Sequence, residues 1–324
     1  MDIIKYDINY TPNPKGLNNF GNTCYLNSLT QCLLSCSSFN YIILNYETNQ
    51  TNSENKLFIS YKNLIMTLLD NNLSNLSNIN FCQQKIYESL ILGARKRRDN
   101  IKFEPSLQQD AQEGFLLFMD ILNIPKLERL FNYRYHIKMK CDLCNNWCLD
   151  KYEENIIMTI NPEYELDVTN NTNLNTNLNT NLNTNLNTNY INNINNYIIK
   201  HEDIIDENHR CEICKKKSSK KKITTLVMIP EILCISVNKY IRKYNTNLPN
   251  ELEFLYKTKN KKLIYKLVAQ SEHYGSQGGG HYNAIVLRKN KSYLCDDMSV
   301  NNTNIGTTLN TYMCFYHYSN IVDL

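Results

Sequence analysis

The chain has 324 residues, 42% hydrophobic and 20% charged, with a formal net charge of +4; that is enough for one large or two small domains, and too weakly basic to argue for nucleic-acid binding. No window approaches 18 uninterrupted apolar residues, and the opening MDIIKYDINYTPNPKG carries acids early, so neither a membrane span nor a secretory leader is expected. Without an export signal, sequons such as Asn72-Leu73-Ser74 are chance products of an Asn-rich chain, and the 12 cysteines are expected to be reduced.

Residues 1 to about 125 carry helical periodicity. A Gly/Asn-rich turn in GLNNFGNTCYLNSLTQ (16–31) gives way to a helix at Cys24, with Leu26, Leu29, Leu33 and Cys36 on one face. A second helix is predicted from Ser106, where Ser106 and Gln109 have the spacing of a capping box. Its stripe is Ala111, Phe115, Phe118, Met119 and Leu122, interrupted by Gly114 at a cost of about 1 kcal/mol relative to Ala.

Residues from about 126 to 235 hold short β-prone stretches (YRYHIKMK, NIIMTI, KKITTLVMI) and two Cys-x-x-Cys knuckles. The Asn/Thr/Leu repeat at 171–189 has no face that can bury a core and is read as a disordered insertion. The basic runs Arg95–Arg98 and Lys215–Lys222 are read as solvated loops rather than import signals. The last zone reads as strands (ILCISVNKYI, KLIYKLVAQ, HYNAIVLRK, SYLCDD, TYMCFYHY), so the class is α+β, with helices early and an antiparallel sheet late.

A thiol at a helix start is favoured as thiolate, because unpaired N–H groups and the macrodipole attract negative charge. An activated cysteine also needs a base. Of the six histidines, His281 follows the glycine-rich GSQGGG and opens a strand, and the next strand ends at Asp296 and Asp297. Neighbouring strands can bring one of these acids beside the imidazole. The bland alternative is Cys24 as a small core residue. Cys141-x-x-Cys144 and Cys211-x-x-Cys214 are two two-ligand hooks, and four thiolates make a closed structural zinc site. Cys148 and His209 are substitute ligands.

With these residues in view, the chain resembles the ubiquitin-specific proteases. GLNNFGNTCYLNSLTQCL is similar to their cysteine box, QQDAQEGFLLFMDIL to their Gln-Gln-Asp segment, IPEILCISVNKY to a strand that usually ends in Arg-Phe, and HYGSQGGGHYNAIV with YLCDDMSV to their histidine box. The paired knuckles match their zinc fingers, and the blocks come in the family's order over residues 16 to 318. The resemblance implies a single catalytic domain of papain-like fold. It has a helical thumb (about 1–125), zinc-bearing β fingers (about 126–235) and an antiparallel β palm (about 236–324).

It implies Cys24 as nucleophile, His281 as general base and Asp296 as its orienting acid, a role Asp297 can share or take. Asn19 becomes the oxyanion donor, the backbone N–H of Cys24 the second donor, and Asn18 a shaper of the turn. Asp110 and Glu113 are expected to meet the basic tail of ubiquitin, and Tyr282 to line the same channel, kept narrow for a Gly-Gly terminus. Zinc on Cys141, Cys144, Cys211 and Cys214 is structural, with no cofactor for catalysis. Expected partners are ubiquitin and ubiquitinated proteins, without membrane or nucleic acid, for a monomer of cytoplasm and/or nucleus. Two departures are Gly114, where the family has Phe, and VNKY; residues 37–104 match little. The rival readings are a protease for a ubiquitin-like modifier and a zinc-stabilised ubiquitin-binding module that does not cut.

Overall fold

The computed structural model describes residues 7–47, 56–70, 75–96, 107–160, 198–205, 210–238, 248–256, 260–276 and 279–323. The repeat at 171–189, His209, Arg97, Arg98 and part of the glycine-rich segment lie outside them. The basic run Lys215–Lys222 lies within them and is not wholly a solvated loop: a strand opens at Lys220, which is buried and donates from Nζ to the Arg210 carbonyl at 3.1 Å. A helical half holds α1 (Cys24–Ser35), α2 (Ser37–Asn45), α3 (Lys56–Leu69), α4 (Leu76–Lys96), α5 (Ala111–Leu122) and α6 (Pro125–Phe131). Strands follow, which is the α+β class expected. Among the described residues no helix is long and apolar enough to cross a membrane.

Two sheets form. The smaller has the order β2-β1-β5-β4, from β1 (Tyr133–Cys141), β2 (Trp147–Asn155), β4 (Lys200–Ile205) and β5 (Lys220–Met228), all antiparallel. The larger runs β11-β10-β9-β8-β12-β6-β3, with β7 (Glu251–Tyr256) also on β8. Its strands are β3 (Met158–Ile160), β6 (Ile232–Val237), β8 (Lys261–Ser276), β9 (Gly279–Arg288), β10 (Lys291–Asp296), β11 (Ser299–Asn302) and β12 (Thr311–Asp323).

The long strand β8 serves two neighbours on one edge: Lys261–Lys266 pairs with β7 and Ala269–Ser276 with β9. The larger sheet is antiparallel, as the sequence led one to expect, except at one edge, where the short strand β3 runs parallel to β6. The interval 126–235 contains more than the smaller sheet. Helix α6 buries Leu127, Leu130 and Phe131 in the main core, and β3 and most of β6 belong to the larger sheet.

The two predicted helices form with different boundaries and faces. All 12 residues of α1 are buried, not one stripe, because the helix lies between strands β8 and β9 and helix α5. Its polar residues Asn27, Ser28, Gln31 and Ser35 are therefore hydrogen-bonded to protein rather than hydrated. Helix α5 starts at Ala111, not Ser106; its cap is Asp110, whose Oδ1 accepts from the amides of Gln112 (2.7 Å) and Glu113 (3.1 Å). The predicted stripe is buried. Gly114 faces α1, and a Cβ there would stand 3.2 Å from the Tyr25 ring, so the glycine permits a close helix crossing.

Arg288, 1% exposed, locks α1 to β9. It donates from Nε to Ser35 Oγ (2.8 Å), from one terminal nitrogen to the Pro12 carbonyl (3.2 Å) and from the other to the Gln31 carbonyl. The cation sits where the helix C-terminus is negative. Midway along the same pair, Ser28 donates to the Asn283 carbonyl and pairs with the Ser271 hydroxyl, both at 2.7 Å. The start of α1 and the start of β9 are thereby held in register.

Candidate active site

The turn before α1 is built by polar groups from distant elements. Leu17 N–H donates to the Asp297 carbonyl at 2.9 Å, and a Cβ on Gly16 would lie 2.2 Å from the Met298 carbonyl oxygen, so the turn rests directly on the β10–β11 hairpin. Gly21 adopts φ +89°, a region suited to glycine. Asn19 Oδ1 accepts from Gly21 N and Thr23 N, both at 3.1 Å, and this fixes its Nδ2 toward Asp297 Oδ2 at 2.9 Å. Asn27 Nδ2 donates to the Asn18 carbonyl (3.1 Å) and to Asp297 Oδ1 (2.7 Å).

Gln83, on α4, grips the same turn: Asn18 N donates to its Oε1 at 2.9 Å, and its Nε2 donates to the Asn18 carbonyl at 2.6 Å. Nothing in the spacing of residues 37–104 singled it out. It is legible only as a polar residue interrupting an amphipathic helix.

Cys24 opens α1 and is 2% exposed. His281, in β9, places Nε2 at 2.5 Å from Asp296 Oδ1 at the end of β10. In the neutral ring this leaves Nδ1 as the basic nitrogen. The two acids divide the work: Asp296 meets the imidazole, and Asp297, at φ 45° in the hairpin turn, holds Asn19 and Asn27. Their backbone geometry sends neighbouring carboxylates in different directions.

Gln108 joins the walls, and the sequence reading missed it. Its Nε2 lies 3.1 Å from Cys24 Sγ and 2.6 Å from the Gly280 carbonyl, and its Oε1 accepts from Gly280 N at 2.6 Å. The doubled glutamine before Asp110 was the available signal.

Asp110 commits both oxygens, Oδ1 to the helix cap and Oδ2 to the Tyr312 hydroxyl, whereas Glu113 is exposed. Tyr282 is 3% exposed and lies against His273, ring centroids 4.4 Å apart, with Tyr312 at 6.0 Å. It supports the wall from beneath.

The knuckles meet in the smaller sheet. Cys141, Cys144, Cys211 and Cys214 place their sulfurs within 4.8 Å of one another, with Sγ···Sγ 4.0 Å for Cys141 and Cys214 and 3.9 Å for Cys144 and Cys211. A tetrahedron of zinc–sulfur bonds of about 2.3 Å asks for sulfurs about 3.8 Å apart, so the four thiols fit a metal of that size. The two knuckles are copies. Cys141 N donates to Asn146 O at 3.0 Å and Asn145 N to Cys141 O at 2.9 Å; Cys211 N donates to Lys216 O and Lys215 N to Cys211 O, each at 2.9 Å. Asn145 and Lys215 both take positive φ, 57° and 60°. The Ser218 hydroxyl at 3.0 Å, with the amides of Cys144 and Leu143, lowers the Cys141 thiol to about 6. Cys148 is not a member of this cluster; its thiol turns to the Met139 carbonyl.

A family model described as ubiquitin carboxyl-terminal hydrolase matches residues 15–316. Ubiquitin carboxyl-terminal hydrolase 12 of Salmo salar is 27% identical over 316 residues, covering 87% of this chain and 80% of that protein. Probable ubiquitin carboxyl-terminal hydrolase 4 of Schizosaccharomyces pombe is 24% identical over 367 residues, covering 96% of this chain. Ubiquitin carboxyl-terminal hydrolase 10 of Arabidopsis thaliana is 33% identical over 122 residues, covering 33% of this chain. The matches span 59% of the fission-yeast protein and 13% of the plant protein, less than two thirds of either. Among solved structures, the SAGA Ubp8/Sgf11/Sus1/Sgf73 DUB module bound to ubiquitin aldehyde matches with TM-score 0.66 at 14% identity, covering 98% of this chain and 72% of that one. The module bound to monoubiquitin gives TM-score 0.68 at 15% identity, covering 99% and 72%. At these identities the likeness is one of fold.

Proposed function

The chain belongs to the ubiquitin carboxyl-terminal hydrolase family, and from that premise we propose that it is a cysteine-type deubiquitinase that cleaves the bond after the C-terminal glycine of ubiquitin. The observation that carries the reading is the His281–Asp296 pair, one residue from Gly280, tied through Gln108 to the sulfur at the start of α1.

In this reading, His281 Nδ1 takes the Cys24 proton and the sulfur attacks the terminal carbonyl carbon. Asp296 holds the Nε2–H side of the ring and supports the imidazolium that forms. The second hydrogen of Asn19 Nδ2 and the Cys24 N–H receive the oxyanion; one such donor is worth about 3 kcal/mol of barrier. His281 then protonates the leaving lysine amine, and a water activated by the same ring releases the acyl-enzyme. Glu113 is the exposed acid for the basic tail, and Asp110 shapes the helix start beside it. Zinc on the four cysteines would hold the tip of the smaller sheet and supply folding energy rather than chemistry.

The test is a panel of fluorogenic substrates carrying ubiquitin or ubiquitin-like C-termini, with a covalent ubiquitin-tail probe. Cleavage of the ubiquitin substrate and labelling of Cys24 are expected. Preference for another modifier would reassign the substrate, and absence of both cleavage and labelling would leave a binding module.

A further inference from the structure

Gln108 makes three hydrogen bonds at the centre of the site with one carboxamide. The group has one acceptor oxygen and two N–H hydrogens. Gly280 fixes which end is which: its N–H needs the oxygen and its carbonyl needs the nitrogen, both at 2.6 Å. A flip would set oxygen against oxygen and N–H against N–H. The second hydrogen of Nε2 is therefore directed at Cys24 Sγ, 3.1 Å away. Gly280 suits this clasp because a Cβ there would lie 2.3 Å from the Tyr274 carbonyl oxygen and 2.6 Å from His273 Nε2. The bare backbone edge and the carboxamide pair as two peptide groups do in a sheet.

We propose that Gln108 is a catalytic residue, a fixed donor that stabilises negative charge first on the Cys24 sulfur and then on the oxyanion two bonds away. This rests on the reading of Cys24 as nucleophile. A hydrogen bond to an ionised acceptor is about twice as strong as one to a neutral group, so the contact favours the charged states over the resting thiol. The thiol proton goes to His281, the S–C bond forms as the carbonyl π pair moves to oxygen, and that pair returns as the C–N bond breaks and the amine takes the proton from His281. Gln108 exchanges no atom and no proton.

The site then has donors from two sides. Asn19 is anchored by the β10–β11 hairpin through Asp297, and Gln108 by β9 through Gly280.

The test compares the full-length, metal-replete protein with Q108A and Q108E, after confirming unchanged melting temperatures. Q108E keeps the shape but replaces the donor by an acceptor, and it decides the matter should Q108A not fold. On a fluorogenic ubiquitin substrate, kcat is expected to fall about 10²-fold with KM within a few-fold, because the donor acts in the transition state. Alkylation of Cys24 by iodoacetamide, followed at its own peptide, should shift to higher pH by about one unit in Q108A, the size of one net hydrogen bond. A raised KM at unchanged kcat would make Gln108 a substrate holder only. Faster cleavage or faster alkylation would make it an obstruction, and either result overturns the proposal. Alkylation needs no ubiquitin, so it still decides the role of Gln108 if the wild type cleaves no ubiquitin substrate.

Discussion

Cys24, His281 and Asp296 come from the start of a helix, a strand and the end of the next strand, whereas Cys141, Cys144, Cys211 and Cys214 sit on two copies of one short turn. The first group has no local geometry of its own. Its spacing depends on Arg288 and Ser28 between α1 and β9, on Gln83 beneath the Asn18–Asn19 turn, and on Asp297 between that turn and the hairpin. The second group needs only the smaller sheet to bring two preformed hooks together. One site is vulnerable to changes that touch no reacting atom; the other is vulnerable chiefly to loss of its ligands or its metal.

Removing the proposed nucleophile tests the separation most severely. Cys24→Ala should abolish cleavage while ubiquitin affinity stays within a few-fold and the metal content is unchanged. Kinetics, calorimetry and metal analysis on one preparation check all three, and residual hydrolysis would make the buried thiol a core residue after all.

The paired acids sharpen the comparison within the dispersed site. Asp296→Ala should lower kcat about 10⁴-fold, the loss seen when a base loses the acid that orients it. Asp297→Ala should cost about 10²-fold, by freeing Asn19, and should also lower stability by about 1–3 kcal/mol, because the buried Asn27 loses its charged acceptor and keeps only backbone carbonyls. Equal effects, or the reverse order, would show that the carboxylates share one role.

Chelation addresses the other region. Stripping metal should melt the smaller sheet and weaken ubiquitin binding, while Cys24 alkylates at its former rate, since no bond of the four-cysteine cluster reaches α1. Protein free of zinc that still cleaves ubiquitin conjugates would remove the structural metal from the account.

Acid should also weaken the seam between the helical half and the larger sheet. His317, 1% exposed, bonds Ser38 on α2 at 2.6 Å from β12, and burial lowers it to about 4. The unfolded chain binds a proton near 6.5 that the folded state refuses until about 4. The contribution is therefore complete above about 6.5 and lost as pH falls toward 4, at most about 3 kcal/mol. A denaturation series from pH 7 to 4 should show this slope, and His317→Gln should flatten it.

The sequence was legible where the signal is local. The knuckles, the apolar stripe of α5 and the order of the motifs were all read correctly. The start of α5 was missed by several residues because the capping-box spacing at Ser106 pointed too early, whereas Asp110 caps the helix and accepts from the amides of Gln112 and Glu113. Tyr282 read as a channel residue from its place beside His281, but strand alternation turns it inward onto His273. Gln83 and Gln108 were given no role, since a glutamine carboxamide has no period and the partners of these two are 65 and 172 residues away.

By itself, the sequence determined the α+β class, the thiol at a helix start, the histidine opening a strand and the four-thiolate donor set, because periodicity and i, i+3 spacing are properties of neighbouring residues. The tertiary structure alone decided that Asp296 faces the imidazole and Asp297 the asparagines, that Arg288 closes the C-terminus of α1, and that the Gln108 carboxamide, 84 residues away, touches the Cys24 sulfur. The two aspartates are chemically identical neighbours; a strand end followed by a left-handed turn points their side chains apart, and what each then meets is set by packing between elements that no local pattern encodes.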